Sequence, residues 1–158
     1  DHGTSRGLGD VYKRQNHGSM QGVINIVDFP VAKERGNVSG TTGSLAQNAI
    51  GNLTITGHKS YLLMNVQLSA AGWFRLYTDS ASRTADANRS VGEDPAAGSG
   101  VIAEVVTTAS SLTQKVTPFV PGGNMDNPVS TNMYVAIKNL SSTTQAITAT
   151  LTILKLED

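Results

Sequence analysis

Apolar and polar positions alternate along most of this chain, and the pattern is densest over residues 61–78. In SYLLMNVQLS, Leu62, Met64, Val66 and Leu68 alternate with Leu63, Asn65 and Gln67, the period-two signature of a strand with one buried face. Ala70-Ala71-Gly72 leaves room only for a turn. A second strand over 73–78 sets Phe74 and Leu76 against Trp73, Arg75 and Tyr77. The pair predicts a central hairpin. It is too apolar to stand alone in water, so further strands must cover it.

Those strands are readable on either side. Residues 22–29 (GVINIVDF) carry apolar side chains on both faces and stop at Pro30. A charged turn follows over Lys33-Glu34-Arg35-Gly36. Residues 36–51, rich in Gly, Ser, Thr and Asn, read as a loop with at most one short irregular strand. Leu53 and Ile55 alternate with Thr54 and Thr56, and Gly57-His58-Lys59 turns that strand into the central hairpin. Beyond the polar stretch 79–100, strands resume at 101–107 (VIAEVVT) and at 114–120, where Pro118 points to a sheet edge. After a turn-rich loop over 121–131, a closing hairpin alternates Met133, Val135 and Ile137, then Ile147, Ala149, Leu151 and Ile153 against threonines. No stretch of ten or more residues has a 3.6-residue period. About seven or eight strands predict an all-β fold, an antiparallel β-sandwich of jelly-roll or immunoglobulin-like type. Strand order is not readable from the pattern.

Length and composition narrow this picture. A chain of 158 residues fits one domain, here expected over 20–158, with a core large enough to need no staples. Lys+Arg and Asp+Glu balance at 12 each, which argues against nucleic acid as a partner, since phosphate binding rests on excess positive charge. No apolar run approaches the length of a membrane helix, and no membrane partner is expected. Charged residues make up 15%, against about 25% in an average domain. Hydroxyl side chains take their place on the exposed strand faces. Residues 1–19 lack any apolar period and read as a disordered or non-native leader.

Candidate chemistry is sparse. Outside the leader His58 is the sole histidine; it sits in a tight turn, G-x-S-x-G is absent, and it reads as a turn residue rather than the base a nucleophile requires. Gly40-Thr41-Thr42-Gly43-Ser44 lacks both the spacing and the lysine of a phosphate loop. Zinc is disfavoured by the absence of cysteine. Calcium has two possible clusters, Asn124, Asp126 and Asn127 in one loop and Asp79, Asp86 and Asp94 in the other, and both read better as Asx turns. No catalytic residue, cofactor or metal site is therefore expected. Two surfaces remain. Asp79, Arg83, Asp86 and Arg89 are spaced four, three and three apart; on a short helical turn they would either pair with one another or form a docking loop. Tyr61, Trp73 and Tyr77 would make a glycan platform if their rings were exposed.

Two stretches carry resemblances. TSRGLGDVYKRQ, residues 4–15, resembles translated sequencing-adaptor read-through. The stretch 61–106, with its WFRLYTD strand end, its SRTAD loop followed by Arg89 and its GVIAEV strand, is similar to a small β-rich virion structural protein of marine cyanophages, which are tailed phages. The likeness continues in NMYVAIKNLSSTTQAITATLTILKLE, residues 132–157. It implies a non-enzymatic part of a tail or capsid used as a repeated subunit; the expectation is a tail, baseplate or fibre component, located in the virion after assembly in the host cytoplasm. Its partners would be other virion proteins and further copies of itself in a homo-oligomer. The alternative is a carbohydrate-binding sandwich that contacts host-surface glycans.

Overall fold

The alternating positions close into two four-stranded sheets. A computed structural model describes residues 34–158; the expected leader and the strand over 22–29 lie outside the described residues. The elements are β1 (Arg35–Thr41), β2 (Ile50–Thr56), β3 (Ser60–Leu68), β4 (Gly72–Tyr77), a one-turn helix α1 (Ser80–Ala85), β5 (Val101–Val106), β6 (Thr113–Gly123), β7 (Asn132–Asn139) and β8 (Thr148–Glu157). One sheet has the order β1-β8-β3-β6 and the other β2-β7-β4-β5, with every pair antiparallel. The all-β sandwich expected from the alternation is the fold. Pro118 lies on β6 at a sheet edge, as expected.

Pairing corrects several expectations. β3 and β4 are not a hairpin: each lies in a different sheet, and the turn between them crosses the sandwich. The same holds for β2 with β3 and for β7 with β8. Among the described strands, the sequence neighbours that do pair are β4 and β5, which the longest polar stretch connects. Short turns here link sheets rather than strands of one sheet. The pairs are nested, β1 with β8, β2 with β7, β3 with β6 and β4 with β5.

Local detail differs too. Arg35 and Gly36 open β1 instead of forming a turn, and the Gly- and Ser-rich strand pairs with β8 along its whole length. Pro121 to Gly123 extend β6 rather than starting the loop. In β3 the register shifts between Leu63 and Asn65 on both flanks. That bulge reverses the face of the strand, so Tyr61, Leu63, Val66 and Leu68 point inward and Leu62 and Met64 do not.

The core lies between the sheets. Leu63, Val66, Leu68, Ala149, Leu151 and Ile153 meet Ile55, Phe74, Leu76, Met133, Val135 and Ile137, all nearly or wholly buried. Each large side chain there stabilises by about 1.5–3 kcal/mol relative to exposure. A second, smaller cluster of Tyr77, Tyr134, Ala136 and Val101 lies apart from it. In consequence β4 is buried on both faces along its entire length. Among the described residues no helix is long and apolar enough to cross a membrane.

Candidate functional site

The cover over the outer face of β4 is the stretch between β4 and β5, which folds back as a strap. Asp79 starts it. Its extended backbone caps α1, its carboxylate accepts from the Ser82 amide at 2.7 Å, and it also accepts from the Ser82 and Thr78 hydroxyls. The Ser82 amide bond, opposed by partial burial and helped by the two hydroxyls, holds the Asp79 carboxyl below the usual carboxylate range. Arg83 does not pair with Asp79. Its Nη1 donates to the Leu53 carbonyl on β2, and its guanidinium lies 5.2 Å from the Tyr134 ring centroid.

Asp86 is the knot of the strap. Its Oδ2 accepts from Tyr77 Oη at 2.7 Å and Arg75 Nη1 at 3.2 Å, its Oδ1 from Arg89 Nε at 2.8 Å, and its carbonyl from Arg75 Nη1 at 2.8 Å. Burial works against its charge. Bonds from Arg89 and Tyr77 and the two guanidiniums outweigh that penalty and keep its carboxyl low. Burial and the bond to Asp86 push the Tyr77 phenol well above its ordinary value. Arg89 continues to Glu104 on β5, 2.8 Å away. Arg75, fully buried, stacks 4.1 Å from the Trp73 centroid, and its Nε and Nη2 have no hydrogen-bond partner. Arg89 stands 5.0 Å from the same ring. Arg75 and Arg89 against Asp86 and Glu104 balance to no net charge.

This geometry decides between the readings of the two candidate surfaces. Of the expected docking loop, Asp86 and Arg89 come together, while Asp79 caps the helix and Arg83 reaches across to β2. Their charged ends are taken up in fixing the strap. The aromatic platform is overturned: Tyr61, Trp73 and Tyr77 are each 1% exposed. Tyr61 faces the main core on the other sheet, and the other two rings lie beneath the strap. Sequence reasoning missed Arg75 and Glu104. The legible signal was Arg75 itself, a charge inside the apolar run WFRLY that needs a buried partner.

Elsewhere, Asn124 and Asp126 form a turn with Ser130 and Tyr134. Asn124 Oδ1 accepts from the Asp126 and Ser130 amides, and its Nδ2 donates to Asp126 and to the Asn132 carbonyl. Asn127 and Asp94 are exposed. Among the described residues no group of three or more His, Asp or Glu is placed to hold a metal ion. His58 Nδ1 lies 3.6 Å from Asp158, while Ser60 turns its hydroxyl to Glu157.

Two grooves open at the ends of the sandwich. One, of about 600 Å³, lies among the turns after β3, β5 and β7; it is lined by Ser69, Thr107, Thr108, Ser141, Ser142 and Gln145 over an alanine and leucine floor. The other, of about 450 Å³, lies at the end of β6 beneath the exposed Met125 and Val129. No protein-family model matches the chain, and a search of curated proteins finds no match to it.

Proposed function

We propose that this chain is a non-enzymatic structural subunit of a tailed-phage virion, in the tail, baseplate or fibre, acting as a homo-oligomeric assembly and docking module. The observation that carries this reading is the nested pairing of the strands. Nesting of this kind, in two four-stranded sheets, favours a jelly roll over an immunoglobulin arrangement, and jelly rolls recur in viral capsid and lectin domains. The support is by analogy of fold, and the likeness of 61–106 and 132–157 to cyanophage virion proteins adds to it. The strap, locked by its own ion pairs, suits a part that must hold its shape in a particle. Light scattering and negative-stain microscopy of the purified chain, from micromolar to millimolar concentration, test the proposal. Multimers of one defined size are expected; a strict monomer throughout overturns it.

The glycan-binding alternative moves from the aromatic rings to the larger groove. Alanine, valine and leucine line it together with hydroxyl and amide side chains, and no charged one does, a surface suited to a neutral sugar rather than a phosphate ester. Titration with neutral oligosaccharides, followed by NMR, would shift the signals of Ser142 and Gln145 if that reading is right.

A further inference from the structure

Among the described residues the sandwich has two open sides, and they are built differently. On one, β6 carries Pro118 and Pro121, and its pairing with β3 jumps from Val120 to Lys115, leaving the intervening residues bulged. Beside it, β5 is short, bulged opposite Leu76 and Tyr77, and has Glu104 tied to Arg89. Prolines, bulges, short length and charge are how proteins prevent a sheet edge from pairing with another chain. On the other side, β1 and β2 have neither proline nor bulge, and their single charged residue is Arg35 at the start of β1. Each pairs inward over seven residues with no break in register and no proline. The two edges are packed together: a Cβ on Gly40 of β1 would sit 2.9 Å from Ile55 of β2.

Hydrogen bonding shows which backbone groups these edges display. The Thr42 amide donates to the Ile147 carbonyl, and that of Lys155 to the Glu34 carbonyl. Even-numbered residues of β1 therefore face β8, and the N–H and C=O groups of Arg35, Asn37, Ser39 and Thr41 face outward. By the same logic the Gly57 to Thr131 and Asn139 to Ala49 bonds turn Ile50, Asn52, Thr54 and Thr56 of β2 outward. All eight residues are exposed. Of the two, β1 is the edge farther from the strap: it belongs to the other sheet, whereas Arg83 reaches the Leu53 carbonyl on β2 over the Tyr134 ring of β7.

We infer that the β1 edge is a self-association face on which a second copy of this chain adds its own β1, antiparallel, about a two-fold axis at Val38. The inference rests on the assembly reading above and names the surface that it uses. With the axis at Val38, Arg35 faces the partner's Thr41, and Asn37 faces the partner's Ser39. Each outward N–H then meets an outward C=O, and no like charges lie opposite one another. The first sheet becomes continuous across both copies, a strand addition that needs no apolar patch and no pocket.

The test is the solution mass of the full chain. The wild-type protein is expected at twice 16.5 kDa. Ser39→Pro removes an outward N–H that β8 does not use, so it should return the mass to that of the monomer with an intact β-sheet circular dichroism spectrum. Ser39→Lys, which retains the N–H but sets two cations near the axis, should weaken the dimer by about tenfold or more. Val106→Lys on the far side should leave the mass unchanged. Hydrogen exchange should slow at Asn37, Ser39 and Thr41 as concentration rises. A multimer that survives both Ser39 variants, or that Val106→Lys dissolves, overturns the β1 assignment and leaves the assembly reading standing. A wild-type chain that stays monomeric overturns both.

Discussion

Replacing Asp86 by Asn tests whether one carboxylate holds the strap onto the sheet. The change keeps the shape and leaves Tyr77 an acceptor, and Arg89 retains Glu104. Arg75 loses most. It is fully buried, Asp86 is its charged partner, and two of its nitrogens already lack hydrogen bonds. Removing one member of a buried pair costs about 3–5 kcal/mol. The Trp73 ring still faces the guanidinium, and a desolvated contact of that kind offsets part of the loss. The low end, about 3 kcal/mol, is therefore expected, a fall in Tm of roughly 10 °C at neutral pH. The pH dependence follows from the direction of the shift. The folded carboxyl titrates below its ordinary value, so its stabilisation is present above about pH 4 and is lost as pH falls through the folded value. Scanning calorimetry of both proteins should show the widest gap near neutrality and a gap that closes as pH falls below the ordinary carboxylate range. A neutral-pH difference below about 2 °C, or a gap that ignores pH, would refute the reasoning.

Three other substitutions probe separate parts of the fold. Asn139, fully buried, donates to the Leu45 and Thr143 carbonyls and accepts from the amide and hydroxyl of Ser141; Asn139→Ala should cost about 2–3 kcal/mol in urea unfolding by leaving those groups unpaired. Gly100 has a φ of +72°, and a Cβ there would collide with the Ser82 and Thr78 hydroxyls, so Gly100→Ala should lower stability by about 1–3 kcal/mol and speed hydrogen exchange across the strap. Glu104→Gln breaks a pair whose carboxylate is about one-third open to water; its cost should stay under about 1 kcal/mol and shrink with added salt.

The fold class was legible because alternation survives in most of the described strands, most plainly where threonines separate Ile147, Ala149, Leu151 and Ile153. Pairing was not. Ala70-Ala71-Gly72 has the length of a hairpin turn, and nothing in those residues says that the chain crosses to the other sheet there. β1 was legible only as one short irregular strand at most within a loop, because Gly36 and Gly40 interrupt its apolar pattern, and Gly40 is required where Ile55 approaches. The bulge after Leu63 hid the true inward face of β3, since Leu62 and Met64 are as apolar as the residues that point in. The charges of the strap were visible as a spacing. Their real partners, Arg75 and Glu104, come from strands that only the folded sheet brings alongside.

The nesting also orders the assembly of the molecule itself. Bringing β4 and β5 together closes the shortest loop, and once they are joined the path between β3 and β6 is short, then that between β2 and β7, and last that between β1 and β8. Each closure lowers the entropic cost of the next. The molecule zips from its middle outward, at the slow pace set by distant contacts. The last strand to settle is then β1, whose unbroken seven-residue register with β8 closes the first sheet.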